Sequence, residues 1–388
     1  MADQNTTDSN KRKLYMEIAG AFLRLGFIAF GGPAAHIAMM EQEFVERRKW
    51  LSRQDFVDRM GAVGLLPGPS STELAIYLGE LRGGLAGLLI AGCSFILPAA
   101  VLVGLLAWAY QKYGSAPQIG AVLFGVKPAV VALIAQAVWS LGRVAVKSKE
   151  LVFLAVVVLG LVAMHVSAIA LLIGTGVAWI VAERFGGGQG VAKTFGGILA
   201  QSGATAAASV SMPTVAGVFL YFLKVGAVLF GSGYVLLVLL RADLVERLHW
   251  LTENQLLDAI AVSQGTPGPF FTVATFVGYV IAGWKGAALA TVGMFLPAFV
   301  FVAVTTKHLP KLRRSPTASA FLDGVNAAAV ALMAFVGWQF ARGTLVNVPA
   351  AVIGVISALL VLRYRVNSAW VILGGAVAGI LAKVAHLA

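Results

Sequence analysis

Apolar stretches long enough to cross a hydrocarbon layer of about 30 Å recur along this chain, among them Leu85 to Tyr110, Ile119 to Leu141 and Trp284 to Thr305. They constrain the fold more than any motif, because backbone groups in lipid must find partners within the protein. Composition points the same way: 59% of residues are hydrophobic and only 12% are charged, whereas soluble domains carry about 25% charged residues. An all-α polytopic membrane protein follows, with the bilayer as its solvent.

The formal net charge of +12 invites a nucleic-acid reading, but Lys and Arg sit in short loops between apolar spans, where they encode orientation in the membrane. No nucleic acid is expected as a partner. Cys93 is the single cysteine, so neither an intramolecular disulfide nor a cysteine-based metal cluster can form. The polar tail of residues 1–13 ends in Lys11, Arg12 and Lys13, and the segment after it carries Glu17 and Arg24, which argues against a cleavable signal peptide.

The chain repeats itself. Residues 22–72 lie over residues 222–272 without a gap, and 15 of those 51 pairs are identical, including Phe30/Phe230, Gly31/Gly231, Trp50/Trp250, Asp58/Asp258 and Pro67-Gly68-Pro69 against Pro267-Gly268-Pro269. After a one-residue shift, Leu97-Pro98 pairs with Leu296-Pro297 and Gly125-Val126 with Gly324-Val325. The expected organisation is a first membrane domain over 14–182, a Gly/Ala/Ser-rich linker over 183–213 and a second membrane domain over 214–388.

Equivalent loops carry opposite charge bias. Lys112 stands alone where the second half has Lys307, Lys311, Arg313 and Arg314. One loop later Arg143, Lys147 and Lys149 face Arg342 alone, and Arg363 and Arg365 answer a loop without Lys or Arg. Opposite bias places equivalent loops on opposite sides, so the repeats are predicted to have inverted topology, as in many secondary transporters. Inversion requires an odd number of crossings between the halves, so either the opening segments re-enter without crossing or the linker hides a span.

Broken helices mark the candidate site, because Pro and Gly in apolar segments free backbone groups that must be buried in protein or line a wet cavity. The first half has Gly31, Gly32 and His36, then Gly68, Ser70, Ser71 and Thr72; the second has Gly231, Ser232 and Gly233, then Gln264, Thr266, Gly268 and Thr272. A helix that resumes after such a break offers unpaired N–H groups and a positive dipole end to an anion. The blander alternative is a kink that serves close packing.

Arg24 and Lys224 share one repeat position inside apolar segments, where they could neutralise an anion or snorkel to an interface. Glu73, beside Thr72, could carry a coupled proton, although its repeat partner is Val273. Glu46 to Trp50 and Glu246 to Trp250 read as interfacial amphipathic helices. There is no phosphate-binding loop and no metal-ligand spacing, so neither ATP coupling nor a cofactor or metal is expected, and no catalytic group stands out.

Phe30-Gly31-Gly32-Pro33 with His36, Trp50-Leu51, and Leu66-Pro67-Gly68-Pro69 with Thr72 resemble the motifs of the chromate ion transporter family. Phe230 to Tyr234 and Gln264 to Pro269 are similar to its carboxyl-terminal version, so the resemblance is to the long, two-domain form. It implies a bacterial inner-membrane protein that exports chromate and confers chromate resistance, with sulfate as a related ligand. A sulfate or other anion importer or channel would use the same broken helices, and assembly as a homodimer is left open.

Overall fold

The computed structural model describes residues 2–114, 116–164, 166–185, 213–229, 233, 235–306 and 315–385. No strand occurs among them. In the first half, α1 (Ala2–Ile28), α2 (Gly32–Glu41) and α3 (Arg53–Val63) precede the long α4 (Ser70–Tyr113), followed by α5 (Pro117–Ala145), α6 (Lys149–Ala163) and α7 (Ala168–Phe185). The second half runs α8 (Val215–Val228), α9 (Val235–Leu240), α10 (Glu253–Gly265), α11 (Val273–Thr305), α12 (Pro316–Thr344), α13 (Val348–Leu362) and α14 (Ser368–Val384). The linker lies mostly outside the described residues, as do Gly231 and Ser232.

Each of two compact units draws on both repeats. The first holds Met1–Trp108, Val215–Ala227 and Thr266–Arg313; the second holds Ala109–Thr214, Val228–Gly265 and Arg314–Ala388.

In the first unit the opening segments fold as re-entrant hairpins. The chain reverses at Ala29 to Gly32, where Gly31 (φ 104°) and Gly32 (φ 78°) adopt backbone conformations that L side chains avoid. The returning arm packs antiparallel on α1, with the Phe22 and Phe44 rings 4.8 Å apart and Trp50 Nε1 donating to Glu17 3.1 Å away. A second reversal lies between α3 and α4, where Arg59 donates to the Tyr77 hydroxyl across the arms at 2.6 Å. Arg82 reaches Glu17 at 3.5 Å, so both hairpins have their bases on one face. The returning arm, residues 70–82, is about 20 Å long, too short to cross. Re-entry of both hairpins leaves the arm 85–113, α5, α6 and α7 for the first half, an even number, and the alternative of a span in the linker falls on residues outside those described.

At the base of the second hairpin, Gly83 and Gly84 break α4, and the chain turns back as the spanning arm 85–113. The two arms touch backbone to backbone at Gly79 and Gly87, where any larger side chain would collide. The second repeat reproduces the device: Ala282 (φ −144°) and Gly283 (φ 60°) copy Gly83 (φ −135°) and Gly84 (φ 61°), and Gly278 meets Gly286.

The repeats are inverted. Gly92 lies against Phe299 and Gly104 against Trp284, so the equivalent arms of α4 and α11 run antiparallel. The contacts are reciprocal: Gly68 faces Ala298 of the second half, and Gly268 faces Ala99 of the first. Reciprocal contact of this kind is the mark of a twofold relation. In the second unit α5 and α12 also cross antiparallel, with Gly337 beside Ile134, Gly142 beside Val330 and Lys147 Nζ 2.9 Å from Asp323. The Gly375-x-x-x-Gly379 face of α14 meets Gly125 on α5, and Gly176 of α7 meets Gly324 on α12 in the same way.

The segments around Trp50 and Trp250 differ from the regular amphipathic helices expected. Each is one turn of π-helix, Gln42–Arg47 or Arg241–Arg247, ended by a residue in left-handed conformation, Lys49 (φ 53°) or His249 (φ 52°). The reversal lets Trp50 N and Trp250 N donate back to Phe44 and Leu244, each at 2.8 Å. Trp50 stacks on Phe44 at 4.5 Å, so it anchors the hairpin internally and does not lie out along an interface.

Candidate functional site

The hairpin tips converge in the first unit. His36 is 1% exposed; its Nε2 donates to the Ala29 carbonyl at 3.1 Å, and Nδ1 shares a hydrogen with Ser71 Oγ at 3.3 Å. One side chain thus ties the first hairpin tip to the second. The Ala29 carbonyl also accepts from Gly268 N–H at 2.8 Å, which brings the Pro-Gly-Pro break of the second repeat to the same point. Gly268 (φ 91°) is pressed against Ala99 with the Gly26 carbonyl nearby, a fit that a Cβ would spoil.

Around this knot lie Ser71, Thr72, Glu73 and Thr272, all buried. Helix α4 begins at Ser70, and its first internal acceptor is the Pro69 carbonyl, which takes Thr72 N–H at 2.7 Å and Glu73 N–H at 2.9 Å. The N–H groups of Ser70 and Ser71 precede that ladder, as at any helix start. The Glu73 carboxyl folds over Gly68 (φ 140°). Both its oxygens are buried and have no hydrogen-bond partner among the described residues, and Thr72 Oγ1 is in the same condition. Thr272 instead turns its hydroxyl onto the Pro269 carbonyl at 2.8 Å, and Phe270 and Phe271 replace Ser70 and Ser71. The two cradles are therefore unequal, polar in the first repeat and apolar in the second.

Of the residues singled out in the sequence, His36, Gly68, Ser71, Thr72, Glu73, Gly268 and Thr272 are gathered in this unit, with Gly31, Gly32 and Ser70 at the tips themselves. Thr266 is buried at its edge, while Gln264 and Gly233 are buried in the second unit. Arg24 is not brought to the knot: its guanidinium is 54% exposed and pairs with Glu43 at 3.6 Å. Lys224 is likewise exposed. Burial tends to raise the Glu43 carboxyl, but the hydrogen bonds and charges of Arg48 and Arg47 outweigh it and hold the group below the usual carboxylate range.

Sequence reasoning missed a second polar cluster, in the second unit. Lys127 Nζ lies 3.2 Å from Asp258 Oδ1, and Tyr110 donates to Asp258 Oδ2 at 2.9 Å. Identity of Asp58 and Asp258 was the available signal; Lys127 gave none, since its repeat partner is Asn326.

Inverted repeats, re-entrant hairpins meeting tip to tip at mid-helix breaks, and polar groups buried at the meeting point define a transporter architecture. The chromate transporter family profile matches residues 16–182 and 216–380, so this chain belongs to the chromate transporter family, in its two-domain form. The chain is 30% identical to a chromate transport protein of Cupriavidus metallidurans over 93% of its own length and 91% of the relative's. A chromate transport protein of Pseudomonas aeruginosa is 32% identical, over 94% and 92%. A probable chromate transport protein of Synechococcus elongatus is 30% identical over 87% of both chains. No solved structure matches the chain.

Proposed function

We propose that this protein exports chromate across the bacterial inner membrane and so confers chromate resistance, driven by an ion or substrate gradient and not by ATP. The observation that carries the proposal is the family match across both repeats, together with relatives named as chromate transport proteins. The geometry supports it with a polar break at which donors cluster: the α4 start, Ser71, Thr72 and the His36 ring. Helix starts of this kind suit a tetrahedral dianion.

Glu73 gives the cycle a proton carrier. Its carboxyl occupies the cradle an anion would use, and a buried charge without donors is costly, so the group leaves or takes a proton when the anion enters. Arg24 and Lys224, exposed at one repeat position, supply positive charge along the pathway.

The test is chromate accumulation in a sensitive strain. Cells expressing the protein are expected to hold less chromate than vector controls, and excess sulfate is expected to compete. Equal or higher accumulation with the protein present in the membrane refutes export.

A further inference from the structure

Lys127, on α5, has a side chain 19% exposed and faces two side chains of α10, the Asp258 carboxylate at 3.2 Å and the Asn254 amide oxygen Oδ1 at 3.1 Å. Asp258 is 3% exposed, and its second oxygen is held by Tyr110. The cluster forms one wall of an open cavity of about 690 Å³, whose rim includes Gln255, Thr344, Val346 and Asn347. That volume far exceeds what an ion pair needs, and the space is bounded by polar groups on several helices.

Three features of this pair bear on its role. It is placed on one repeat only: Asp58 accepts from Gln54 at 3.2 Å, and Asn326 stands where Lys127 would be. Secondly, an ammonium has three donors; Lys127 gives one to Asn254 and pairs its charge with Asp258 Oδ1 at 3.2 Å, which leaves donor capacity for a ligand. Thirdly, Asp258 does not depend on Lys127 alone, because the Tyr110 hydrogen bond stays with it if the lysine turns away. A buried ion pair is a weak source of stability compared with apolar packing, so its retention beside a cavity asks for another role.

We propose that Lys127 binds a tetrahedral oxyanion in this cavity, as a site separate from the hairpin tips, and that Asp258 is the resident counter-ion which the oxyanion displaces. The inference rests on the oxyanion reading of the substrate. A lysine ammonium is a compact, strongly hydrated charge, suited to capturing an anion from water and passing it on. Asp258 restores the pair once the anion leaves, which keeps the site from becoming a trap.

The experiment uses the purified full chain with Cys93→Ser and a reporter cysteine, Val346→Cys, on the cavity rim. The modification rate by a neutral maleimide is measured with sulfate or tungstate, neither of which oxidises thiols, and with chloride at matched ionic strength. Both oxyanions are expected to slow modification at least threefold, and chloride is not. Lys127→Gln should abolish the protection and Lys127→Arg should keep it. Asp258→Asn, which removes the competing counter-ion, should lower the oxyanion concentration needed. The double variant Lys127→Gln/Asp258→Asn leaves no unpaired buried charge, so it remains foldable, and it should lack protection.

Protection that persists in the double variant makes the pair structural and overturns the proposal. So does equal protection by chloride, or none in the parent. Protection by sulfate or tungstate in a protein that fails to lower cellular chromate would refute the chromate assignment and leave this site standing.

Discussion

Single residues decide how the hairpin tips are held. Gly268 combines a left-handed φ with backbone and Ala99 on either side, so Gly268→Ala carries strain of about 1–3 kcal/mol in addition to a steric collision. Transport by Gly268→Ala is expected to fall at least tenfold while the protein still reaches the membrane, measured by chromate exclusion against immunoblotted membrane protein. Gly20 is the contrast, because a Cβ there meets nothing within 4 Å. Gly20→Ala should be neutral or add about 0.5–1 kcal/mol of stability.

At the hairpin base Glu43 gathers Arg24, Arg47 and Arg48, with Arg48 Nε 2.6 Å away. Its carboxyl is depressed in the folded state, so the stabilisation is full above the unfolded value of about 4.3 and is lost as pH falls through the lower folded value. Glu43→Gln removes the acceptor from three cations. Because two of the guanidiniums are more than half exposed, the expected loss is about 1–2 kcal/mol. The loss should shrink as pH falls below about 4.3 and vanish below the depressed folded value, read as convergence of the thermal unfolding curves of variant and parent.

At the scale of elements, the helix breaks were legible in the sequence because Pro-Gly-Pro and Phe-Gly have no place in an ordinary spanning helix. What the breaks build was not legible. Whether a broken segment crosses or returns depends on partners such as Arg59 and Tyr77, which sit at equal distances on either side of Gly68 and give no periodic signal. The same holds for the hairpin clamps: Gly79 and Gly87 look like common membrane-helix glycines until their backbones are seen to touch. The partner of Arg24 was hidden for a related reason. A charge in an apolar run is conspicuous, whereas its Glu43 partner lies nineteen positions on, beyond a chain reversal.

The clamps can be tested directly. Gly79→Val and Gly278→Val each force a side chain into the opposing backbone, at a cost of about 1–3 kcal/mol or more. Both are expected to lower the melting temperature of the detergent-solubilised protein by several degrees, and by similar amounts, because the clamps are geometric copies. A large drop in one and none in the other would mean that the repeats do not share this device.

At the scale of the whole molecule, the charge bias of the loops and the antiparallel contacts of equivalent helices lead to one topology by independent routes. The bias depends only on which loops carry Lys and Arg. The contacts depend only on packing, with Gly337 against Ile134 and Lys147 against Asp323 in one unit, and Gly92 against Phe299 and Gly104 against Trp284 in the other. In the second unit these place the start of α6 at the same end as the start of α12, while Val346 and the Gly114 to Gly120 turn share the cavity rim at the other end. Replacing Cys93 with Ser removes the one native thiol, so single cysteines at Lys149, Thr317, Gln118 and Val346, all exposed, report on sidedness. In cells with a permeabilised outer membrane, an impermeant thiol reagent is expected to label the Gln118 and Val346 positions. The Lys149 and Thr317 positions should react only after the inner membrane is opened, because inversion puts Arg143 to Lys149 and the start of α12 on the cytoplasmic side. Parallel repeats would instead place Gln118 and Thr317, which occupy equivalent positions, on the same side, so labelling of both from outside would contradict the inverted arrangement.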